Sequence, residues 1–452
     1  MDASKAQPAR PLQRILGVGF GLAIGVGGTV GVGILRLPGT VAMSLGDSRL
    51  IIAFWILGGL YAMLGAVSVA ELAALFPQTG GFRVYARQAF GDGAGFTIGW
   101  CDWLCLISSL AYGAIAASTF LGSLWPLAAA HAQLTAIGIV GILTLMHTFG
   151  IRMGSTLTNI ISLTIGLMLT SLVIGCFFVT PVSAAAAAPL SGAAASLPWR
   201  SGSMLVAVVT ALRAVLVTYD GWYSPIYLAE ENTDPTRTLP RAIIGGAVLV
   251  TGLYVAVNFA LLRVLPLSVL ARSPLPAADA ARAILPNGGV QFVTLISLAT
   301  ALSLINASLL MAPRILFGLA RDGHLFAAAT SVSRSGTPRP ALVICFVATI
   351  ALILTGTFEQ ITSLAAVLFL LCYISAYAAV IRLRKTQPHL RRPYRAFGYP
   401  VATGVALLGS TLFLVAAVSE DSRSAWIAAA FLVFLAIAYR WLRRLRSSQK
   451  PA

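Results

Sequence analysis

Five glycines, Gly25, Gly27, Gly28, Gly31 and Gly33, crowd one short stretch of an apolar run that begins near Ile15, and Pro38 and Gly39 follow. Glycine in a membrane helix permits close packing, so a stripe of small residues is one reading. The density argues for another. Each glycine weakens a helix by about 1 kcal/mol relative to alanine, and exposed backbone at membrane depth is tolerated only where it is buried in protein or lines a cavity. The run therefore predicts an unwound, solute-facing break at about Gly31–Gly33. A half-helix starting there offers free N–H groups and a positive dipole end, which hold a carboxylate.

A second interruption, Tyr219-Asp220-Gly221-Trp222 with Pro225 beyond, lies in a later apolar run. A carboxylate in mid-membrane is costly and marks a functional position by default. Asp220 either serves the solute site or caps the half-helix that follows, and both require a break. Carbonyls freed ahead of each break suit an ammonium. Together the two breaks suit a zwitterion.

Other polar residues in apolar runs carry open alternatives. Arg36 either supplies positive charge at the site, paired with Asp220 or attracting an anionic solute, or snorkels to the headgroups. Arg213 is placed to line an outer vestibule, and Arg263 sits near a span end. Glu71 reads as an anchor for the Gly80-Gly81 loop. Asp102 reads as an inner-pathway residue or the partner of an arginine. Glu230, Glu231, Asp234, Arg237 and Arg241 read as a gate network or a solvated loop. Ser108, Ser109, Ser303, Asn306 and Ser308 read as helix–helix glue; Ser303 and Asn306 alternatively fit a sodium site, since hard cations take oxygen ligands.

The elements that position these residues are membrane helices. Of 452 residues, 58% are hydrophobic and 10% charged, and mean hydropathy is +0.88; soluble domains carry about 25% charged residues. About twelve runs are long enough to cross a bilayer: 15–39, 48–76, 95–122, 132–150, 154–180, 202–231, 241–265, 288–320, 339–357, 360–383, 400–419 and 424–442. They lack the alternation of barrel strands. The run after Lys5, Arg10 and Arg14 has no cleavage site and reads as an uncleaved span.

The net charge of +17 follows topology rather than nucleic-acid binding. Most of the 31 Lys and Arg fall in the two tails and in alternate loops. The other side holds Arg49, Arg200, Arg272, Arg282 and Arg423, and Arg36, Arg213 and Arg263 lie within spans. This asymmetry places both termini in the cytoplasm. The Arg-rich C-terminal tail reads as a stop-transfer anchor or a contact with anionic lipid. Alanine-rich Ser183–Ser196 reads as a spacer in an outer loop. The five cysteines all lie in apolar segments, so neither a disulfide framework nor a metal site is expected. No loop cysteine is available to link an accessory subunit, and none is indicated. The four histidines are scattered, which speaks against a membrane enzyme; no large signalling domain suggests a sensor.

Six segments in order resemble the amino acid–polyamine–organocation (APC) family of amino-acid permeases. They are Gly31-Val32-Gly33-Ile34 with Pro38-Gly39; Glu71-Leu72 through Gly80-Gly81; Tyr219-Asp220-Gly221-Trp222; Ala229-Glu230-Glu231 through Leu239-Pro240-Arg241; Arg314 with Ala320-Arg321-Asp322-Gly323; and Arg392-Pro393-Tyr394-Arg395 with Gly398-Tyr399-Pro400. Val32 replaces a serine of the first motif.

The resemblance implies an all-α membrane protein with a five-plus-five inverted repeat of the leucine-transporter type and two extra helices. On that plan the chain divides into a tail (1–14), a first repeat (15–180), an extracellular loop (181–201), a second repeat (202–383), a cytoplasmic loop (384–399), two additional helices (400–442) and a tail (443–452). The resemblance also implies that the amides of Val32, Gly33 and Ile34, at the Gly31 break, meet a solute carboxylate. Carbonyls near Gly28 or Thr29, and from Val217 through Thr218 and Tyr219 to Asp220, would meet its ammonium. Val217 takes the place of an aromatic gate. A fifth-span lysine common in the family is replaced by Ile165, which rules out lysine-based coupling and makes sodium more plausible. The expected function is a secondary active amino-acid permease in the cell membrane. It would favour neutral amino acids, need no cofactor, and be coupled to protons or sodium. An uncoupled exchanger and an acidic-amino-acid transporter are the alternatives.

Overall fold

The computed structural model of the protein describes residues 12–182, 204–355 and 358–448. The Ser183–Ser196 stretch, Arg200, Lys5, Arg10 and Lys450 lie outside the described residues. In chain order the helices are α1 (Val18–Thr29), α2 (Gly33–Leu45), α3 (Ser48–Leu75), α4 (Phe82–Phe90), α5 (Asp92–Leu124), α6 (Pro126–Ala130), α7 (Ala132–Thr148), α8 (Ile151–Phe178) and α9 (Met204–Thr218). They continue with α10 (Pro235–Val264), α11 (Leu267–Arg272), α12 (Pro276–Ile284), α13 (Gly289–Arg321), α14 (Arg339–Thr355), α15 (Phe358–Thr386), α16 (Val401–Glu420) and α17 (Ser422–Ser448). Among the described residues, α3, α5, α8, α10, α13, α15, α16 and α17 are long and apolar enough to cross a membrane, and α1 with α2 forms one bent span. The shorter apolar helices α7, α9 and α14 fall where the sequence predicts spans four, six and nine.

Two span boundaries and one connecting stretch stand out against expectation. The first span continues to Leu45, because Pro38 sits inside α2 and does not end it. Gly39 is a packing residue: a Cβ there would lie 2.6 Å from the Ser273 carbonyl. The helix ends instead at left-handed Gly46, and the Asp47 side chain caps α3 by accepting from the Arg49 and Leu50 amides. The seventh span begins at Pro235 rather than residue 241, with proline at a helix start, where its missing N–H costs nothing. The stretch between spans seven and eight is built of α11 and α12; α12 buries Pro276, Ala277, Ala278, Ala280 and Ala281.

The two interrupted spans sit at the centre. α1 packs on α8, α10 and α13, and α2 packs on α9. α3 lies along α10 and α5 along α13. α16 and α17 attach at the periphery, α16 against α3 and α15 and α17 against α5 and α15.

Candidate functional site

The first break falls at Val30–Val32, one residue before the sequence places it, and turns the chain by 47°. The second is wider than a single glycine. α9 stops at Thr218, Tyr219–Tyr223 form a turn, and Ser224–Glu231 continue as a 3-10 helix. The breaks touch through bare backbone. Gly221 holds φ +118°, and a Cβ on it would lie 2.3 Å from the Gly28 carbonyl oxygen and 2.8 Å from the Thr29 nitrogen. Across the same seam, a Cβ on Gly28 would strike the Ser224 hydroxyl, which bonds the Gly221 carbonyl at 2.7 Å. Most of the glycine run is thus spent on packing. Gly31 is the exception: nothing lies within 4 Å of where its Cβ would be. Beside that space α2 starts with no side-chain cap from Val32 to its first amides, Gly33 and Ile34.

The proposed ammonium carbonyls are held by a residue the sequence reading missed. The Tyr254 hydroxyl, from α10, lies 2.9 Å from the Thr29 carbonyl and 3.1 Å from the Thr218 carbonyl, so one phenol bridges the ends of α1 and α9. The side chains of Thr29 and Thr218 fold back onto the Gly25 and Ala214 carbonyls. Both threonines act here as helix ends braced by Tyr254. Val217, at the position of the aromatic gate, is 50% exposed. Ile34 is fully buried, and it is available to a solute through its backbone.

Asp220 accepts from the Tyr373 hydroxyl of α15 at 2.5 Å. Tyr373 stacks on Trp222 at 5.7 Å, and the Tyr219 hydroxyl bonds the Trp55 carbonyl at 2.8 Å. Around Asp220 is a cavity of about 40 Å³ lined by Tyr61, Ala62, Leu216, Tyr219, Trp222, Tyr373 and Tyr377; it has room for one or two waters. The pairing of Asp220 with Arg36 is not what the structure brings together. Arg36 is exposed on α2, and the hydroxyl on Asp220 belongs to Tyr373. Arg213 is exposed on α9, and Arg263 folds over the Phe177 ring at 5.6 Å.

The eighth-span polar group divides in two. Ser303 donates to the Gly27 carbonyl at 2.9 Å, and Ser162 of α8 donates to the Ala23 carbonyl at 2.8 Å. Gly27 lies between the two hydroxyls. Asn306 does not join them: it bonds His147 at 2.9 Å and Thr158 at 2.8 Å. Ser162, a fifth-span side chain one turn before the buried Ile165, thus bonds the first span's backbone.

A family model described as "Amino acid permease" matches residues 15–438. The chain belongs to the amino acid permease family. It is similar to the serine/threonine exchanger SteT of Bacillus subtilis, with 26% identity over 91% of this chain and 93% of the relative. It is also similar to the mouse Asc-type amino acid transporter 1, at 29% identity over 85% and 73% of the two chains. The mouse b(0,+)-type amino acid transporter 1 is 25% identical over 90% and 82%. These relatives are transporters, so the protein is a multi-pass membrane permease and not an enzyme.

One face of the permease, the one carrying the N-terminal segment, is closed by ion pairs. The Ile15 and Leu16 amides bond the Glu231 carbonyl at 3.0 and 2.9 Å, pinning the segment to the end of the sixth span. Glu231 is buried in a bidentate pair with Arg314 of α13, at 2.6 and 2.7 Å. Glu230 pairs with Arg321 at 2.8 Å and accepts from the Thr79 amide at 2.9 Å. Asp322 holds Arg83 and Arg87 of α4. These carboxylates therefore find their partners in the second, third and eighth spans' surroundings. Asp234 and Arg237, at the start of α10, make a 3.9 Å exposed side-chain contact with each other.

Two further expectations are corrected. Glu71 does not anchor the Gly80-Gly81 loop. It holds Arg384 at 2.5 Å, Arg392 at 3.2 Å and the Ala396 amide at 2.7 Å, and so fixes the loop after the tenth span. Asp102 makes its close side-chain bond to a tyrosine rather than to an arginine. It accepts from the Tyr227 hydroxyl at 2.6 Å, and its other oxygen lies 2.8 Å from where a Cβ on Gly81 would be.

Proposed function

We propose that this permease exchanges small neutral α-amino acids by alternating access, in the cell membrane and with both termini in the cytoplasm. The observation that carries this reading is the open space at Gly31, set between uncapped amides of α2 and the Gly28–Gly221 seam. Backbone amides there bind the α-carboxylate, and carbonyls of the two broken spans bind the ammonium. The residues flanking that space in the chain, Val30, Val32 and Ile34, carry no charge, which favours a neutral side chain. Exchange is favoured by the likeness to a named serine/threonine exchanger. The ion-paired face is the cytoplasmic gate, and it must open for release.

A second reading, sodium coupling, is favoured by four oxygens that converge beside Gly27: the Ala23 and Gly27 carbonyls and the Ser162 and Ser303 hydroxyls. One experiment separates the two. Proteoliposomes containing the purified protein are tested for uptake of labelled serine, with or without unlabelled serine inside and with sodium or choline outside. Exchange predicts uptake that requires internal amino acid and ignores the cation. Sodium coupling predicts uptake into empty liposomes that choline abolishes. No uptake of any amino acid under either condition refutes both.

A further inference from the structure

A second site lies on the face that carries the N-terminal segment, far from the helix breaks. A cleft of about 460 Å³ opens there between the ends of α7 and α14, lined by Phe149, Ser333, Arg334, Ser335 and Arg339. Its floor is a built turn. The Ser333 amide bonds the Thr337 carbonyl, the Thr337 amide bonds the Ser333 hydroxyl, and the Ser333 and Ser335 hydroxyls lie 2.9 Å apart. The Ile151 amide, at the start of α8, bonds the Ser335 carbonyl at 3.2 Å. Gln13 bonds the Arg334 carbonyl at 3.0 Å, which places the cleft on the same face as the gate.

The arginines here differ from those of the gate. Arg83, Arg87, Arg314, Arg321, Arg384 and Arg392 all meet carboxylates. Among the described residues, no carboxylate pairs with Arg334 or Arg339, and the Arg339 guanidinium donates to the Thr148 carbonyl at 3.1 Å. The helices leading from the cleft are apolar and exposed. Ile142, Leu145 and Phe149 form one strip on α7, and Val343 and Val347 form another on α14. Two guanidinium groups with no carboxylate partner among the described residues, and two hydroxyls, sit at the head of two exposed apolar strips.

We propose that this cleft binds the phosphate headgroup of an anionic phospholipid from the adjoining leaflet, with the acyl chains lying along α7 and α14. Guanidinium groups suit phosphate oxygens, and basic pockets between membrane helices suit anionic headgroups. The exposed strips favour a lipid over free phosphate, because acyl chains bury apolar surface that phosphate leaves bare.

The test is native mass spectrometry of the full-length protein in neutral detergent, titrated with phosphatidylglycerol or phosphatidylcholine at equal concentration. Wild type is expected to retain phosphatidylglycerol over phosphatidylcholine. The Arg334→Gln/Arg339→Gln variant is expected to bind phosphatidylglycerol roughly 25-fold more weakly, about fivefold for each arginine. Arg334→Gln alone, at an exposed side chain, covers the case in which the double variant does not fold, and is expected to lose about fivefold. Arg391→Gln/Arg395→Gln, exposed basic residues of another loop, are expected to retain the preference. Equal retention of the two lipids, unchanged retention in the cleft variants, or an equal loss in the control variant would overturn the proposal. Displacement of the lipid by millimolar inorganic phosphate, with no preference between the lipids, would assign the cleft to phosphate and overturn it as well.

Discussion

Replacing Gly221 with alanine puts a methyl group into the seam between the two breaks, and its cost follows from geometry. The backbone at Gly221 has φ +118°, and strain of this kind in a residue with a side chain is worth about 1–3 kcal/mol. The new Cβ would stand 2.3 Å from the Gly28 carbonyl oxygen, a backbone atom that can retreat only if α1 moves. Overpacking of this kind adds about 1–3 kcal/mol. The sum of about 2–6 kcal/mol corresponds to roughly 30-fold or more in any equilibrium that requires the seam closed. Gly221→Ala should therefore lower the melting temperature and cut serine uptake in proteoliposomes by at least tenfold. Gly31→Ala is its control, because open space surrounds that position and its φ is not positive. It should melt within a degree or two of wild type, since a substitution free of strain or clash changes stability by about 0.5 kcal/mol or less. Its uptake should still fall, because the methyl occupies the solute's place. Wild-type melting and uptake in Gly221→Ala, or equal destabilisation by both substitutions, would refute the reasoning.

Tyr254→Phe removes the hydroxyl that bridges the Thr29 and Thr218 carbonyls, and leaving buried carbonyls unpaired should cost about 1–3 kcal/mol, read as a lower melting temperature together with slower uptake. Glu231→Ala leaves Arg314 buried without its carboxylate and should destabilise by about 3–5 kcal/mol in a thermal-unfolding assay; adding Arg314→Leu should recover much of the loss. Arg36→Ala should leave KM for serine within about fivefold, since an exposed arginine that forms no pair with Asp220 contributes about 1 kcal/mol or less. A large KM change would restore Arg36 to the site.

The two breaks were legible because helix propensity is local. A dense glycine run and a mid-span Asp-Gly pair each signal interruption without knowledge of the neighbours. The same locality explains the errors. Pro38 and Gly39 look like a helix end in sequence, yet Pro38 is carried inside α2 and Gly39 makes room for the Ser273 carbonyl, which is more than 200 residues away. Glu71 was matched to its nearest motif, whereas its partners Arg384, Arg392 and Ala396 come from beyond the tenth span. Tyr254 and Tyr373 escaped notice because a tyrosine scarcely interrupts an apolar pattern. Their hydroxyls were the available signal, since a phenol in mid-membrane must find an acceptor. α4, α11 and α12 are short and read as loops because they are too brief to show a membrane period.

An experimentally determined structure of the protein with a small neutral amino acid such as serine bound speaks to the site itself. The expected result is density in the space beside Gly31, with the α-carboxylate about 3 Å from the Gly33 and Ile34 amides and the ammonium facing carbonyls of the α1 and α9 ends. Density for the amino acid elsewhere, or a carboxylate held by Arg36 with the α2 amides left empty, would contradict it.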